Sequence, residues 1–538
     1  MNQRDNMNQR GNGPRRPRTD RSHNDRQRGD RQRGDRPRND RPRTDPRRQP
    51  LDPADADARR ALHGDSPREG KPDARGERRR GNSPLDPARR AAFDTLRAVT
   101  ERDAYANLAL PALLAERGIT GRDAAFATEL TYGTCRTRGQ LDDIIAATAN
   151  RPVADIDPIL LDLLRLGAYQ LLRTRVEPHA ALDTTVSAAK NEFDSVRGGF
   201  VNAVLRKIST RDLDGWVAEL APDRATDPIG NLAFAHAHPR WIAQSFADAL
   251  GADAAELPAV LAADDARPQV HLAARPGVLT AAELAEQTGG TVGRYSPYAV
   301  YLPGGDPGQI AAVREGAALV QDEGSQLVAQ ALTRAPLEGP DGGRWLDLCA
   351  GPGGKTALLA AIGKGVGATV TAVEPAQRRA ELVEQNTAGL DVTVLCVDGR
   401  DVEEILGATG LGEGAPGFDR VLVDAPCTGL GALRRRPEAR WRRQPADVPV
   451  LTKLQRELLA AAIALVRPGG VVLYSTCSPH LAETAGVIAD AVRRHPVELL
   501  DARELFEPVE DLGAGPAVQL WPHHHGTDAM FAAALRKK

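Results

Sequence analysis

The sequence predicts a multidomain chain: a disordered basic N-terminal tail, an all-α bundle, a small α+β connector, and an α/β domain of the Rossmann-like type. Three observations carry that prediction. The first 86 residues are almost free of apolar clusters, residues 87 to 208 repeat apolar side chains at helical spacing, and five short apolar runs between residues 344 and 477 alternate with helix-compatible stretches. At roughly 100 to 200 residues per domain, a chain of 538 residues also leaves room for two to four separate cores.

The tail, residues 1–86, contains a five-residue unit in six copies, RPRTD-RSHND-RQRGD-RQRGD-RPRND-RPRTD, from Arg16 to Asp45. It has no hydrophobic period, and Pro and Gly stand in place of helix formers, so burial cannot offset its ordering entropy. Sixteen arginines against seven aspartates give the first 50 residues a charge of +9, which leaves −11 for the other 488 residues of a chain whose total is −2. Such an arm suits sequence-independent contacts with RNA phosphates, or simply solubility. No run of 18 apolar residues and no signal-peptide core occurs, so a cytoplasmic protein without membrane contact is expected; a monomer is the expected state.

Residues 87–210 read as helices. "PARRAAFDTLRAV" sets Ala92, Leu96 and Val99 on one face, "ILLDLLRLGAYQLL" is strongly apolar, and "FVNAVLRKI" spaces Phe200, Val204, Leu205 and Ile208 helically. The ordered segments "AAFDTLRAV", "ELTYGTCRTRGQLDDII", "LLDLLRLGAYQLL", "PHAALDTTVSAAK" and "GGFVNAVLRKI" resemble the all-helical RNA-binding domain of the NusB antitermination family. That resemblance implies an RNA-directed role. Residues 235–335 change to short mixed segments such as "PQVHLAAR" and "AVYLPGG", an α+β connector, and lead into an amphipathic helix with Leu327, Val328 and Leu332.

In residues 336–538 the five runs are "RWLDLCA", "ATVTAVE", "VTVLCVD", "DRVLVDAP" and "VVLYSTC". Apolar throughout and 15 to 40 residues apart, they read as parallel strands buried on both faces of a doubly wound sheet. "LTKLQRELLAAAIALVRPGG" is one crossover helix, striped by Leu451, Leu454, Leu458 and Leu465, with Pro468-Gly469-Gly470 expected to stop it before the next strand.

A glycine-rich loop follows the first run. Cys349, Ala350, Gly351, Pro352, Gly353, Gly354 and Lys355 end the strand and open a helix, with three glycines that let a ligand approach the backbone. Gly354-Lys355-Thr356 imitates the end of a Walker A loop, but that motif needs glycine where Cys349 stands. Glu374 lies 21 residues past Gly353, the spacing of an acid that holds a ribose, and Asp398 ends the third run where a carboxylate can accept from an adenine amino group. A loop and two acids at three strand ends, without the G-x-G-x-x-G of a pyrophosphate site, suit S-adenosylmethionine better than NAD.

Five cysteines, odd in number and without a C-x-x-C pair, fit neither a disulfide framework nor a structural zinc site. Cys135, Cys349 and Cys396 read as small buried apolar residues. Cys427 and Cys477 differ, because each ends or follows a strand at the cofactor edge, with Asp424 three residues before Cys427. Cytosine C5 is too weak a nucleophile to take a methyl group until a thiolate adds to C6, so such an enzyme needs a placed cysteine and an acid at N3. Chemistry alone leaves open which cysteine attacks.

"LDLCAGPGGKT", "VLVDAPCTGLG", "RRRPEARWRR", "VLYSTCS" and "HHHGTDAMF", in this order, resemble the Sun-type RNA 5-methylcytosine methyltransferases. The resemblance implies an α/β class I methyltransferase domain behind a NusB-like one. It also implies S-adenosylmethionine bound by the Cys349–Lys355 loop, Glu374, Asp398 and Asp424, and a cytosine of 16S ribosomal RNA as target. It assigns Cys477 as nucleophile, Cys427 to release of the product and Asp424 to the cytosine edge. "DAMF" departs from the family's Asp-Gly-Phe-Phe, and "SPHLAETAGVI" lacks its paired Glu-Asn. An RNA-binding assembly factor with a vestigial methyltransferase fold, or a transfer-RNA or DNA cytosine methyltransferase, are the competing readings.

Two further runs invite a function. Arg434 to Arg443, with Trp441 among them, could grip phosphates and stack on a base. His523-His524-His525 is expected to be a surface loop and no metal site, because consecutive histidines on an extended segment cannot all face one ion.

Overall fold

Asp86 fixes the start of the first helix. Its side chain accepts from Arg89 N, Pro87 occupies the first turn, and the helix Pro87–Arg102 follows. Asp157 and Asp194 cap Pro158–Arg173 and Ser195–Ile208 in the same way. These helices, with Ala106–Glu116, the 29-residue Gly121–Ala149 and Pro178–Glu192, bury one core that holds Phe93, Leu96, Leu130, Ile144, Leu163 and Leu205. Ala92, Leu96 and Val99 do share its inner face.

The computed structural model describes residues 85–411 and 417–538, so the arginine repeat lies outside the described residues. After the bundle come the helices Leu213–Leu220, Pro228–Ala235, Arg240–Leu250 and Leu257–Asp265. A small antiparallel sheet follows, made of β1 (Val270–Ala274), β2 (Thr291–Val292), β3 (Ala299–Leu302) and β4 (Ala318–Val320) in the order β2-β3-β1-β4. The helix Glu323–Arg334 then leads into the large sheet, where Leu327, Val328 and Leu332 pack with Trp345 and Leu358.

The large sheet contains β5 (Arg344–Asp347), β6 (Thr369–Val373), β7 (Val392–Leu395), β8 (Phe418–Asp424) and β9 (Val466–Thr476), with β10 (Val497–Leu500), β11 (Val518–Gln519) and β12 (Phe531–Lys537). Its order is β10-β12-β9-β8-β5-β6-β7, with β11 paired to β12. β5 to β9 are the five expected strands and pair in parallel. Trp345, Val370 and Leu422 face one core and Leu346, Val421 and Val423 the other, so both faces are covered and the runs are apolar throughout. The last three strands extend this sheet beyond the five expected ones: β12 pairs antiparallel with β9, and β10 and β11 each pair antiparallel with β12.

Pro468-Gly469-Gly470 does not act as expected. The crossover helix Asp447–Leu465 ends before it, and the three residues lie inside β9. There Phe418 pairs with Val466 but Arg420 pairs with Val471, so the extra residues form a bulge. Among the described residues no helix is long and apolar enough to cross a membrane.

Candidate active site

Strand order reverses at β5, which has β6 on one side and β8 on the other. Ligands of open parallel sheets bind at the carboxyl ends of strands beside such a switch point. There the chain places the Cys349–Lys355 loop after β5, Glu374 after β6, Asp398 after β7, Asp424 at the end of β8 and Cys477 after β9.

The loop is shaped by what its glycines leave open. Gly353 adopts φ +106 as it opens the helix Gly354–Lys364, and a Cβ there would lie 2.9 Å from the backbone of Val383. A Cβ on Gly351 would lie 2.2 Å from Glu374 Oε2, so the loop and the acid share a space too narrow for any side chain. Glu374 is buried, accepts from Ala376 N at 3.0 Å, and pairs with Arg379, which also donates to Gly351 O at 2.6 Å. Asp398 is held by both arms of Arg400, at 3.0 and 2.9 Å.

Lys355 connects this loop to the cysteines. Its Nζ donates to Asp424 Oδ2 at 2.7 Å and to Ser325 Oγ at 3.1 Å, while Ser475 Oγ donates to Asp424 Oδ1 at 3.0 Å. Burial pulls the Lys355 ammonium down, but the Asp424 carboxylate outweighs it and holds the lysine above its ordinary value.

Cys427 Sγ and Cys477 Sγ stand 3.5 Å apart, both half-buried. The thiols differ electrostatically. The hydrogen bond with Cys427, then Arg436 and Lys355, hold Cys477 below its ordinary value. The same hydrogen bond, then burial and the charge of Glu483, push Cys427 well above it. Cys477 is therefore the thiol more readily ionised, and the thiolate is the reactive form.

Two residues escaped the sequence reading. Asp347, at the end of β5, is buried, accepts from Thr356 Oγ1 at 2.7 Å, and is pushed up to about 6 by burial, with Asp424 adding to it. Glu483 is fully buried and accepts from Thr428 N and Ser478 Oγ, the residues after each cysteine, at 2.8 and 2.7 Å. An acid at the end of the first strand and one six residues past Cys477 were the available signals.

Apart from Arg436, the arginine block is turned into the protein and does not lie open to RNA phosphates as the sequence suggests. Arg440 is fully buried and donates to Asp264 Oδ2 at 2.7 Å, and Arg434 and Arg435 each donate to Asp528 Oδ1 at 2.9 Å. Trp441 packs against the bundle: its Nε1 donates to Arg136 O at 2.9 Å, and a Cβ on Gly139 would lie 2.1 Å from its ring. Arg442 caps the end of Pro87–Arg102 through Val99 O and Ala104 O, at 3.0 and 2.9 Å. The block thus clamps the bundle and the 228–265 helices to the sheet domain. Arg436 remains exposed.

The histidine run is likewise no extended loop. Pro522–His525 is one helical turn with His525 buried, and the Nε2 atoms of His523 and His524 lie 2.8 and 2.7 Å from Glu256 Oε2. Cys135 is buried as expected and Cys349 half-buried, but Cys396 is exposed, because it follows β7, the edge strand of the sheet.

Residues 335–536 match the family described as 16S rRNA methyltransferase RsmB/F, and residues 86–210 match the NusB family. A protein of Mycobacterium tuberculosis (strain H37Rv), provisionally named a methyltransferase, is 73% identical over 467 residues, 87% of this chain and 99% of its own. The ribosomal RNA small subunit methyltransferase B of Pseudomonas putida is 34% identical over 460 residues, 84% of this chain and 98% of that protein. The crystal structure of PH0851 shares the fold, with a TM-score of 0.69 at 23% identity over 84% of this chain and 98% of that one. The chain thus belongs to the RsmB/F family of 16S rRNA methyltransferases and carries a NusB-family helical domain ahead of its methyltransferase domain.

Proposed function

We propose that the protein transfers a methyl group from S-adenosylmethionine to C5 of a cytosine in 16S ribosomal RNA, through a covalent bond between Cys477 and C6. The observation that carries this reading is the pair of thiols 3.5 Å apart at the sheet edge, next to the Lys355–Asp424 ion pair.

The residues present fit the methyl donor. The space that Cβ atoms at Gly351 and Gly353 would fill, and the buried Glu374 carboxylate, suit a nucleoside held by its ribose hydroxyls. Cys349, Ala350, Gly351, Pro352, Gly353, Gly354 and Lys355 would line it, with Asp398 at the adenine amino group and Asp424 at the inner end. Bound there, S-adenosylmethionine supplies an electrophilic methyl group.

Cys477 is the nucleophile: the hydrogen bond with Cys427, aided by Arg436 and Lys355, holds its thiol below the ordinary value and favours the thiolate. Addition to C6 turns C5 into an enamine carbon able to accept the methyl group. Asp424, fixed by Lys355 and Ser475, takes the cytosine edge. After methyl transfer, loss of the C5 proton to a base beside the adduct breaks the C6–S bond, expels Cys477 as a thiolate and restores the ring; Cys427, 3.5 Å from Cys477, assists that release. The NusB-family domain and the names of the relatives support ribosomal RNA as the substrate.

Bisulfite sequencing of 16S ribosomal RNA from a strain lacking the protein tests the reading. One protected cytosine is expected to become convertible and to regain protection when the wild-type protein is restored. An unchanged map contradicts it.

A further inference from the structure

We propose that Glu483 is the positioning residue of the thiol pair: one buried carboxylate that holds both cysteine-bearing turns in register and keeps Cys427 and Cys477 face to face. The proposal rests on the two-cysteine reading above and adds a residue that reading does not use.

The carboxylate is fully buried. Its Oε1 accepts from Thr428 N at 2.8 Å and from Gln455 Nε2 at 3.1 Å; its Oε2 accepts from Thr428 Oγ1 at 2.5 Å and from Ser478 Oγ at 2.7 Å. Thr428 follows Cys427 and Ser478 follows Cys477, so each turn is tied to the same two oxygens by the residue next to its thiol. Gln455 also donates to Pro426 O at 2.8 Å, which holds the residue on the other side of Cys427. Tyr474 OH donates to the main-chain oxygen of Glu483 at 2.7 Å, and Thr428 Oγ1 lies 3.1 Å from Ser478 Oγ, closing the network across the two turns.

All four donors to the carboxylate are neutral. A buried carboxylate without a cation is costly unless its lone pairs are satisfied, and four donors match the roughly four that it offers. Gln keeps one carbonyl oxygen for Thr428 N and Gln455 Nε2 but turns an amide N–H toward the Thr428 and Ser478 hydroxyls, which must then accept instead of donate, so the bonds to a charged acceptor are lost and the two turns are tied less firmly. The charge is also asymmetric in effect, since it is among the groups that keep Cys427 protonated.

The test uses the full-length protein and its E483Q and E483D variants. Iodoacetamide alkylation of Cys427 and Cys477 across pH, read by mass spectrometry, reports the thiol pair without RNA or methyl donor. In wild type, Cys477 is expected to react faster than Cys427. In E483Q that preference is expected to shrink about fivefold or more, with kcat down about 10- to 100-fold and KM for RNA and S-adenosylmethionine within about threefold. E483D, which keeps the acceptors, is expected to recover part of both. Wild-type alkylation preference in E483Q, with or without a lower Tm, overturns the proposal. If E483Q does not fold, Thr428→Val and Ser478→Ala each remove one donor, and an unchanged preference in both overturns it equally. Failure of the proposed function shows elsewhere, as full methyl transfer by Cys477→Ala, and leaves the alkylation result intact.

Discussion

Lys355 Nζ donates to Asp424 Oδ2 at 2.7 Å, and this ion pair joins the helix behind the glycine loop to the strand that ends three residues before Cys427. The lysine follows β5, where the strand order reverses, and the aspartate ends the neighbouring β8. Asp424→Asn removes the carboxylate that keeps Lys355 charged against its burial. Methyl transfer by this variant is expected to fall about 10²- to 10⁴-fold. Stability should fall by only about 1–3 kcal/mol, because the pair is partly open to water. Single-turnover transfer and urea unfolding measure the two effects separately.

Gly351→Ala tests the cofactor loop. The new Cβ would lie 2.2 Å from Glu374 Oε2 and 2.7 Å from Arg379 Nε, so the carboxylate and guanidinium must move. Calorimetric titration is expected to show binding of S-adenosylmethionine weakened about tenfold or more, ~1.4 kcal/mol, with little change in Tm. Unchanged affinity would remove the loop from the donor site.

Asp347 sets a pH dependence. Burial raises it from 3.8 to about 6, so between these values the folded chain holds a proton that the unfolded chain releases. Its contribution is then complete below about pH 4 and is lost as the pH rises through 6, in all about 3 kcal/mol. Urea unfolding of wild type and Asp347→Asn at pH 4.5 and 7.5 is expected to show a stability difference that favours the variant more at the higher pH. A pH-independent difference contradicts the shifted carboxyl.

Arg440→Ala separates a clamp from an RNA grip. The change leaves Asp264 buried without its guanidinium, a loss of about 3–5 kcal/mol. The salt dependence of RNA binding by the folded variant should stay as in wild type, whereas a phosphate contact would lower the slope by about 0.7 to 0.9. A slope reduced by that amount would restore the phosphate-binding reading.

The contrast between this arginine and the cysteines shows what a sequence can carry. The five parallel strands were legible because burial on both faces makes each an apolar run, and the loop, Glu374, Asp398 and Asp424 were legible because they sit at the ends of those runs. Cys427 and Cys477 could be paired in thought for the same reason. Arg440 could not be read, since its partner Asp264 is 176 residues away and a buried arginine looks like an exposed one in a sequence. β12 was hidden by composition, as "FAAALRK" lacks the β-branched residues that mark strands. Glu483 was hidden by geometry, because its four donors come from three separate segments that only the fold brings together.

The most direct test of the account incubates the Cys427→Ala and Cys477→Ala variants with 16S ribosomal RNA and S-adenosylmethionine and resolves them on a denaturing gel. Cys427→Ala is expected to migrate as a covalent protein–RNA species that persists in denaturant, and Cys477→Ala to form none and to transfer no methyl group. Adduct trapped by Cys477→Ala and absent from Cys427→Ala would contradict the assignment of the two thiols.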